Sequence, residues 1–319
     1  MDLKELPLPH PSPSLQASVI IPARDERDGI EATLNCFARQ RDVNGDSFNS
    51  DRFEILLLAN NCSDDTAEIA RQWGKENPSI ALHAIEVQLF GEKASVGHAR
   101  RKLMNLACQR LQSVSRTNTS KSVVQAICST DADTHVSPFW ISHTLAEFDA
   151  GARAVGGRIF LRPEASTSSK NETRRIYLLD TTYRLLAARL ESILDPRPGD
   201  PGPRHFQFFG ASLAICPNLY AQIGGLPRVQ CLEDMALEQE LRRFDHEIRH
   251  SPHVTVWTSP RSDGRVEMGL STQLQEWGAL GLEEKQWLVP SAPEIAFKGR
   301  LQRRLRSYWA SQSDDSDLQ

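Results

Sequence analysis

Three times in the first 135 residues, a short, mainly apolar run stops against acids, amides or hydroxyls. Ala17-Ser-Val-Ile-Ile-Pro22 gives way to Arg24, Asp25 and Glu26. Phe53–Ala59 ends in Asn60 and Asn61, and Val123–Cys128 ends in Ser129-Thr-Asp-Ala-Asp133. Runs this short and this apolar are the mark of strands buried on both faces, as in a parallel sheet. Helical spacing separates them: Ile30, Leu34 and Phe37, then Ala67–Asn77 behind a Ser63-Asp-Asp-Thr66 cap, then about Val96–Leu111. A third strand is expected near Ile80–Val87 and a loop over Ser113–Ser122. Strands alternating with helices, with polar residues at the strand ends, predict an α/β fold whose mostly parallel central sheet opens a crevice at those ends.

The second half is less regular. A strand is expected over Ala152–Leu161, a long helix over Asn171–Leu194, and a strand over Gly210–Ile215. Between them Asp195-Pro-Arg-Pro-Gly-Asp-Pro-Gly-Pro203 must be a surface loop. The pair Gly224-Gly225 precedes a helix opening at Glu233-Asp234, and Ile248–Thr258 reads as a last strand. Helices near 272–280 and 296–309 follow. The expected division is a disordered arm over 1–16, a main domain over 17–269 with halves 17–135 and 136–269, a helical extension over 270–310, and a disordered acidic tail over 311–319.

Composition narrows the class of function. A net charge of −4 offers no broad basic surface for nucleic acid. The six cysteines form no CxxC pair, which suits reduced thiols and a cytoplasmic setting better than a disulfide frame or a zinc site. The longest apolar stretches fall far short of the roughly 20 residues that cross a bilayer.

Two acidic pairs carry the chemistry. Asp131 and Asp133, i and i+2 beyond a buried strand, can both reach one hard cation such as Mg²⁺ or Mn²⁺. An Asx turn is the other reading of that pair. Glu233 and Asp234 stand where a helix dipole favours negative charge, so helix stabilisation competes with a functional role. Arg261-Ser-Asp-Gly-Arg265 follows the last strand and reads as a basic loop able to close over phosphates. His250 and His253 are candidate further ligands.

In order and spacing these segments resemble family 2 inverting glycosyltransferases of the GT-A fold, over roughly Ala17–Gly269. The resemblance rests on Val19-Ile-Ile-Pro-Ala-Arg-Asp-Glu26, Asn60-Asn-Cys-Ser-Asp-Asp-Thr66, Lys93 with Gly97-His-Ala-Arg100, Asp131-Ala-Asp133, Gly224-Gly225 and Glu233-Asp234. It implies a metal-dependent, hexosyltransferase-type transfer of one sugar from a nucleoside-diphosphate sugar to a hydroxyl acceptor. Pro22, Arg24, Glu26, Asn60, Lys93, Arg100, Asp131, Arg261 and Arg265 would bind the donor. Asp133, with Asp131, would hold the divalent cation. Asp234 would be the base, and Glu233 would support it or touch the donor sugar. A nucleotidyltransferase and a non-catalytic nucleotide-binding or scaffold protein are the alternatives; the Gly-rich loop expected of the former is missing after the first strand.

The pattern departs from its relatives in places. Many carry Asp-Asp where this chain has Ala59-Asn60, which leaves the choice of base open. Thr258-Ser-Pro-Arg261 supplies no histidine after the Glu-Asp helix, and Gln302–Trp309 lacks the spacing of the processive synthases. The stretch 296–309 is expected to be a basic amphipathic helix packing through Leu301, Leu305 and Trp309, with peripheral contact to acidic lipid as the second reading.

Overall fold

The computed structural model describes residue 3 and residues 6–117, 124–163, 168–261, 269–282 and 288–316. The chain divides into two compact units, Met1–Glu164 with Gln207–Thr272, and Ala165–Phe206 with Gln273–Gln319. The first unit holds 17–164 and 207–269 of the expected domain, and 165–206 falls in the second. The second joins the long helix of the chain's middle to the C-terminal helices, where a C-terminal extension alone was expected.

In the first unit, β1 (Ala17–Ala23), α1 (Ile30–Phe37), β2 (Phe53–Asn60), α2 (Thr66–Glu76), β3 (Ala81–Val87), α3 (Val96–Thr117) and β4 (Ala126–Ser129) follow the expected alternation. Then come β5 (His135–Val136), α4 (Trp140–Asp149) and β6 (Ala154–Leu161). In the second unit lies α5 (Ser168–Leu194), and the first resumes with β7 (Leu213–Ile215), α6 (Pro217–Gln222), α7 (Glu233–Arg243) and β8 (Arg249–Thr258). Among the described residues the sheet has the order β3-β2-β1-β4-β7-β6-β8-β5. Four pairings are parallel (β1 with β2 and β4, β2 with β3, β6 with β8) and three antiparallel. The fold is therefore the α/β class expected, with a mostly parallel sheet.

Both faces of this sheet are covered, which is why the strand runs are continuously apolar. Val19, Ile21, Ile55 and Leu57 point into one core with α1, α2 and α4. Ile20, Leu56 and Leu58 point into the other with α3, α6 and α7. β4 pairs with β1 only as far as Ile20, so β1 beyond that residue is free of β4. Pro22 sits in that stretch, where a missing N–H costs no ladder bond on the β4 side.

The N-terminal arm is not disordered over its described residues. Leu3 and Leu15 are each 1% exposed, Leu6 and Leu8 pack beside them, and Arg110 on α3 donates to the Pro9 carbonyl at 2.9 Å. Proline and serine forbid regular structure there, but the interspersed leucines are enough to dock it.

The second unit consists of α5, α8 (Leu270–Leu282, entering from the first unit) and α9 (Ala292–Ser316). Tyr177 tilts against Trp277 at 6.1 Å, and the Tyr183 hydroxyl donates to Pro290 O at 2.6 Å. The loop after α5 is irregular, as its prolines require, yet Asp195 and Asp200 are buried in it and paired to Arg306 and Arg204. α9 runs to Ser316, past the expected start of a disordered tail. Its packed positions are Ile295, Gly299, Gln302 and Arg306, whereas Leu301, Leu305 and Trp309 are 45%, 60% and 74% exposed. The expectation that those three pack is overturned.

Candidate active site

The loops after β1, β2 and β4 and the start of α7 converge at one end of the sheet. Among the described residues, three of the four non-glycine residues with left-handed backbone lie there: Asp25 (φ 51°), Asn61 (φ 53°) and Leu232 (φ 56°). Aspartate and asparagine take this conformation readily, but for leucine it costs about 1–2 kcal/mol. Leu232 is the N-cap of α7, and its unusual backbone turns the chain into the helix at Glu233. The turn before it uses Gly224 and Gly225 at φ 80° and 81°. Both therefore sit where the backbone itself favours glycine.

Arg100 joins the two acidic pairs. It is 3% exposed; its Nη2 donates to Asp131 Oδ1 at 2.5 Å and its Nη1 to Glu233 Oε1. The residue expected to bind nucleotide is thus committed to two protein carboxylates, a strut between the β4 loop and α7. Gly210 makes room for it, since a Cβ there would stand 2.5 Å from the guanidinium carbon. The same glycine is bonded on both sides: Ser129 Oγ donates to its carbonyl at 2.9 Å, and its N–H donates to Asp234 Oδ2 at 2.9 Å. Met235 N–H donates to Asp234 Oδ1 at 2.8 Å, so both oxygens of this half-buried carboxylate are oriented by backbone. Glu233 is buried against Arg100, a supporting position.

A second arginine gathers the remaining acids. Arg261 donates to Glu26 Oε1 at 2.7 Å and Oε2 at 3.0 Å, and its Nη2 lies 3.0 Å from Asp133 Oδ2. Burial, the charge of Asp131 and that of Glu26 push Asp133 up to about 6, against the pull of Arg261 and Arg162. Desolvation in the crevice also raises Asp131; Arg100 opposes the shift and Asp234 reinforces it. Arg261 loses by burial but gains more from Glu26, Asp133 and Asp131, and is held above its ordinary value. Arg162, just past β6 and bonded to His135 at 2.9 Å, was not singled out by sequence; its place at a strand end was the available signal.

The other expected donor-site residues are spread around this centre. Pro22 is buried in β1, and Arg24 is exposed, 3.9 Å from Asp25. Asn60 ends β2, 4% exposed, and its side-chain oxygen has no partner among the described residues. Its neighbour Asn61 is tied to Leu89 by two backbone bonds and is not available. Lys93 lies exposed in a 3-10 turn before α3. Arg265 falls outside the described residues. His253 packs edge-on to His143 at 5.8 Å.

Asp25, Cys62 and Asp64 place donor atoms within 4.8 Å of one another, the tightest such acidic grouping among the described residues. All three side chains already accept hydrogen bonds from backbone N–H groups. Ser63 N–H donates to Asp25 at 2.6 Å, Asp25 N–H to Cys62 Sγ at 3.4 Å, and the Arg27 and Thr66 N–H groups each to Asp64 at 3.0 Å. These bonds knit the loops after β1 and β2 together. The expected metal pair, Asp131 and Asp133, is separate from this group and faces the two arginines.

The chain belongs to glycosyl transferase family 2, whose model matches residues 18–199. Comparison with curated proteins gives no match. Among solved structures, S. aureus TarS 1-349 in complex with UDP-GlcNAc has TM-score 0.50 at 14% identity, covering 92% of this chain and 73% of that one. A mannosyltransferase from Pyrobaculum calidifontis with GDP-Man and Mn²⁺ has TM-score 0.49 at 17% identity, covering 97% and 88%. Glucosyl-3-phosphoglycerate synthase from Mycobacterium tuberculosis with Mn²⁺, UDP-glucose and phosphoglyceric acid has TM-score 0.44 at 15% identity, covering 87% and 81%. This chain spans 41% of the longer TarS structure. The sheet order and the likeness to TarS 1-349 identify the GT-A fold.

Proposed function

We propose that the protein transfers a single sugar from a nucleoside-diphosphate sugar to a hydroxyl acceptor, with inversion at the anomeric carbon. The observation that carries this reading is the Arg100 strut, which brings Asp131 and the Glu233-Asp234 helix start to one crevice although the sequence separates them widely. Family membership and the donors bound by the TarS fragment and the mannosyltransferase agree with it.

Each group has a role that its surroundings allow. Asn60, with a buried and unused amide oxygen, suits an edge of the nucleotide base. Asp131 would bond the donor ribose. Asp133, with Asp131, fits a divalent cation: their oxygens are hard ligands, and two carboxyls with raised pKa beside Glu26 form an excess of negative charge that favours a cation. When bound, that ion would supply Lewis-acid stabilisation of the diphosphate leaving group. Arg261 already rests on these acids and is the residue to transfer its charge to the phosphates as the donor enters.

Asp234 acts as general base. Its two backbone bonds fix the carboxylate while each oxygen keeps a lone pair for the acceptor hydroxyl. The proton passes to Asp234 as the acceptor oxygen attacks, and the anomeric bond to phosphate breaks on the opposite face. The test is Asp234→Asn, which is isosteric and can keep one of the two backbone bonds, since its amide nitrogen cannot accept the other. It should retain thermal stabilisation by UDP or GDP with Mn²⁺ yet lose transfer by two orders of magnitude or more, about the scale of a lost general base. Undiminished transfer by the variant, or a product with retained anomeric configuration by NMR, would overturn the reading.

A further inference from the structure

One side of α9 is largely exposed. On α9, Phe297, Leu301, Leu305, Tyr308 and Trp309 are exposed by 70%, 45%, 60%, 66% and 74%. Their spacing places them along one side of the helix. The side carrying Ile295 and Gly299 is the one turned inward, with Gly299 against Leu194 of α5. Lys298, Arg300, Arg303 and Arg304 are also exposed. On the helical wheel Arg300 and Arg304 border the apolar stripe on one flank, and Lys298 and Glu294 fall within it. Over residues 292–309 the acid is Glu294 alone.

We propose that α9 docks on an anionic lipid surface, lying in the headgroup plane with its aromatic and leucine face among the acyl chains and its arginines on the lipid phosphates or carboxylates. Three observations select that occupant. Contiguous apolar area of this kind is a docking surface rather than ordinary surface scatter. The tyrosine and tryptophan at its C-terminal end combine an apolar body with a polar tip, as a membrane interface requires. The basic border complements negative headgroups, whereas a second copy of the same helix would meet it with like charge. No helix among the described residues is long and apolar enough to cross a membrane, so the contact would be peripheral. The proposal is independent of the reaction assigned to the first unit.

The test is co-sedimentation of the full chain with vesicles of phosphatidylcholine alone and of phosphatidylcholine mixed equally with phosphatidylglycerol. Binding to the mixed vesicles is expected, with little to phosphatidylcholine, and it should fall as salt shortens the Debye length from about 10 Å at 0.1 M to about 3 Å at 1 M. Arg300→Glu with Arg304→Glu should lower partitioning by about tenfold or more. Leu305→Ser with Trp309→Ser should lower it at unchanged charge. All four positions are exposed, so circular dichroism and melting should match the parent. Absence of binding to the mixed vesicles would overturn the proposal, as would binding by both double variants at the level of the parent. A concentration-dependent dimer in sedimentation velocity, lost in Leu305→Ser with Trp309→Ser and unaccompanied by vesicle binding, would assign the face to a second copy and likewise overturn it.

Discussion

Arg100 decides how the two halves of the crevice are held. A buried guanidinium with carboxylates on two sides is favourable only while both partners remain, because each ion has given up its hydration. Arg100→Met should therefore leave Asp131 and Glu233 facing each other without a cation and destabilise the fold by about 3–5 kcal/mol. Arg100→Met with Glu233→Gln should recover part of that loss, and a double-mutant cycle by urea unfolding measures the coupling. Arg100→Lys keeps the charge but cannot fork to two carboxylates, so it should fold better than the methionine variant. Additive single losses would show that Arg100 and Glu233 do not act as a pair.

At the level of elements, the approach to β7 is as important as the helix carrying the base. Gly210 is bonded to Ser129 at the end of β4 and to Asp234 at the start of α7, and the Arg100 guanidinium lies against its Cα. In Gly210→Ala the new methyl group would meet the end of a side chain, so the guanidinium is the part that yields. The expected stability cost is about 1–3 kcal/mol, the range for overpacking a filled site. Transfer should suffer more than stability, since the displaced arginine no longer sets the distance between Asp131 and α7. Thermal melting alongside kcat and KM separates the two effects. A variant as unstable as Arg100→Met but with normal kcat would contradict this account of Gly210.

For the molecule as a whole, what the sequence discloses depends on whether a residue has one possible surrounding or several. β1, β2 and β4 are legible because strands covered on both faces are apolar at most of their positions. α4 and α6 pass unrecognised, one following a two-residue strand and the other only six residues long. Asp131, Asp133 and Glu233-Asp234 are legible as acids at element ends, but not that arginines join them. Arg100 has the same helical spacing whether it faces a nucleotide or a carboxylate. The apolar side of α9 shows in its periodicity, yet periodicity does not say what covers it. The N-terminal arm misleads for a related reason: proline and serine exclude regular structure, not docking. Its docking leads to Glu54, buried on β2, which accepts bonds from Ser18 at 2.9 Å and Arg110 at 2.6 Å. Burial raises the Glu54 carboxyl, but bonds from His83, Arg110 and Ser18 outweigh burial and hold it below its ordinary value. A carboxyl lowered on folding adds stability above its unfolded pKa of about 4.3, and that stability is lost as pH falls through the folded value. The arm reaches this pair through the Pro9 carbonyl on Arg110, and it is anchored by Leu3 in the apolar core. Deleting residues 1–10 should therefore remove about 1.5–3 kcal/mol for Leu3 alone and admit water to Arg110. It should also move the acid-unfolding midpoint to higher pH, toward about 4.3, because a hydrated pair holds Glu54 less far below its unfolded value. Glu54→Gln in the full chain should remove the pH dependence contributed by this carboxyl while leaving Arg110 buried without its partner, at about 3–5 kcal/mol. Circular dichroism between pH 2 and 7 on the three proteins is the measurement, and coincident acid transitions for the deletion and its parent would show that the arm does not shield the pair.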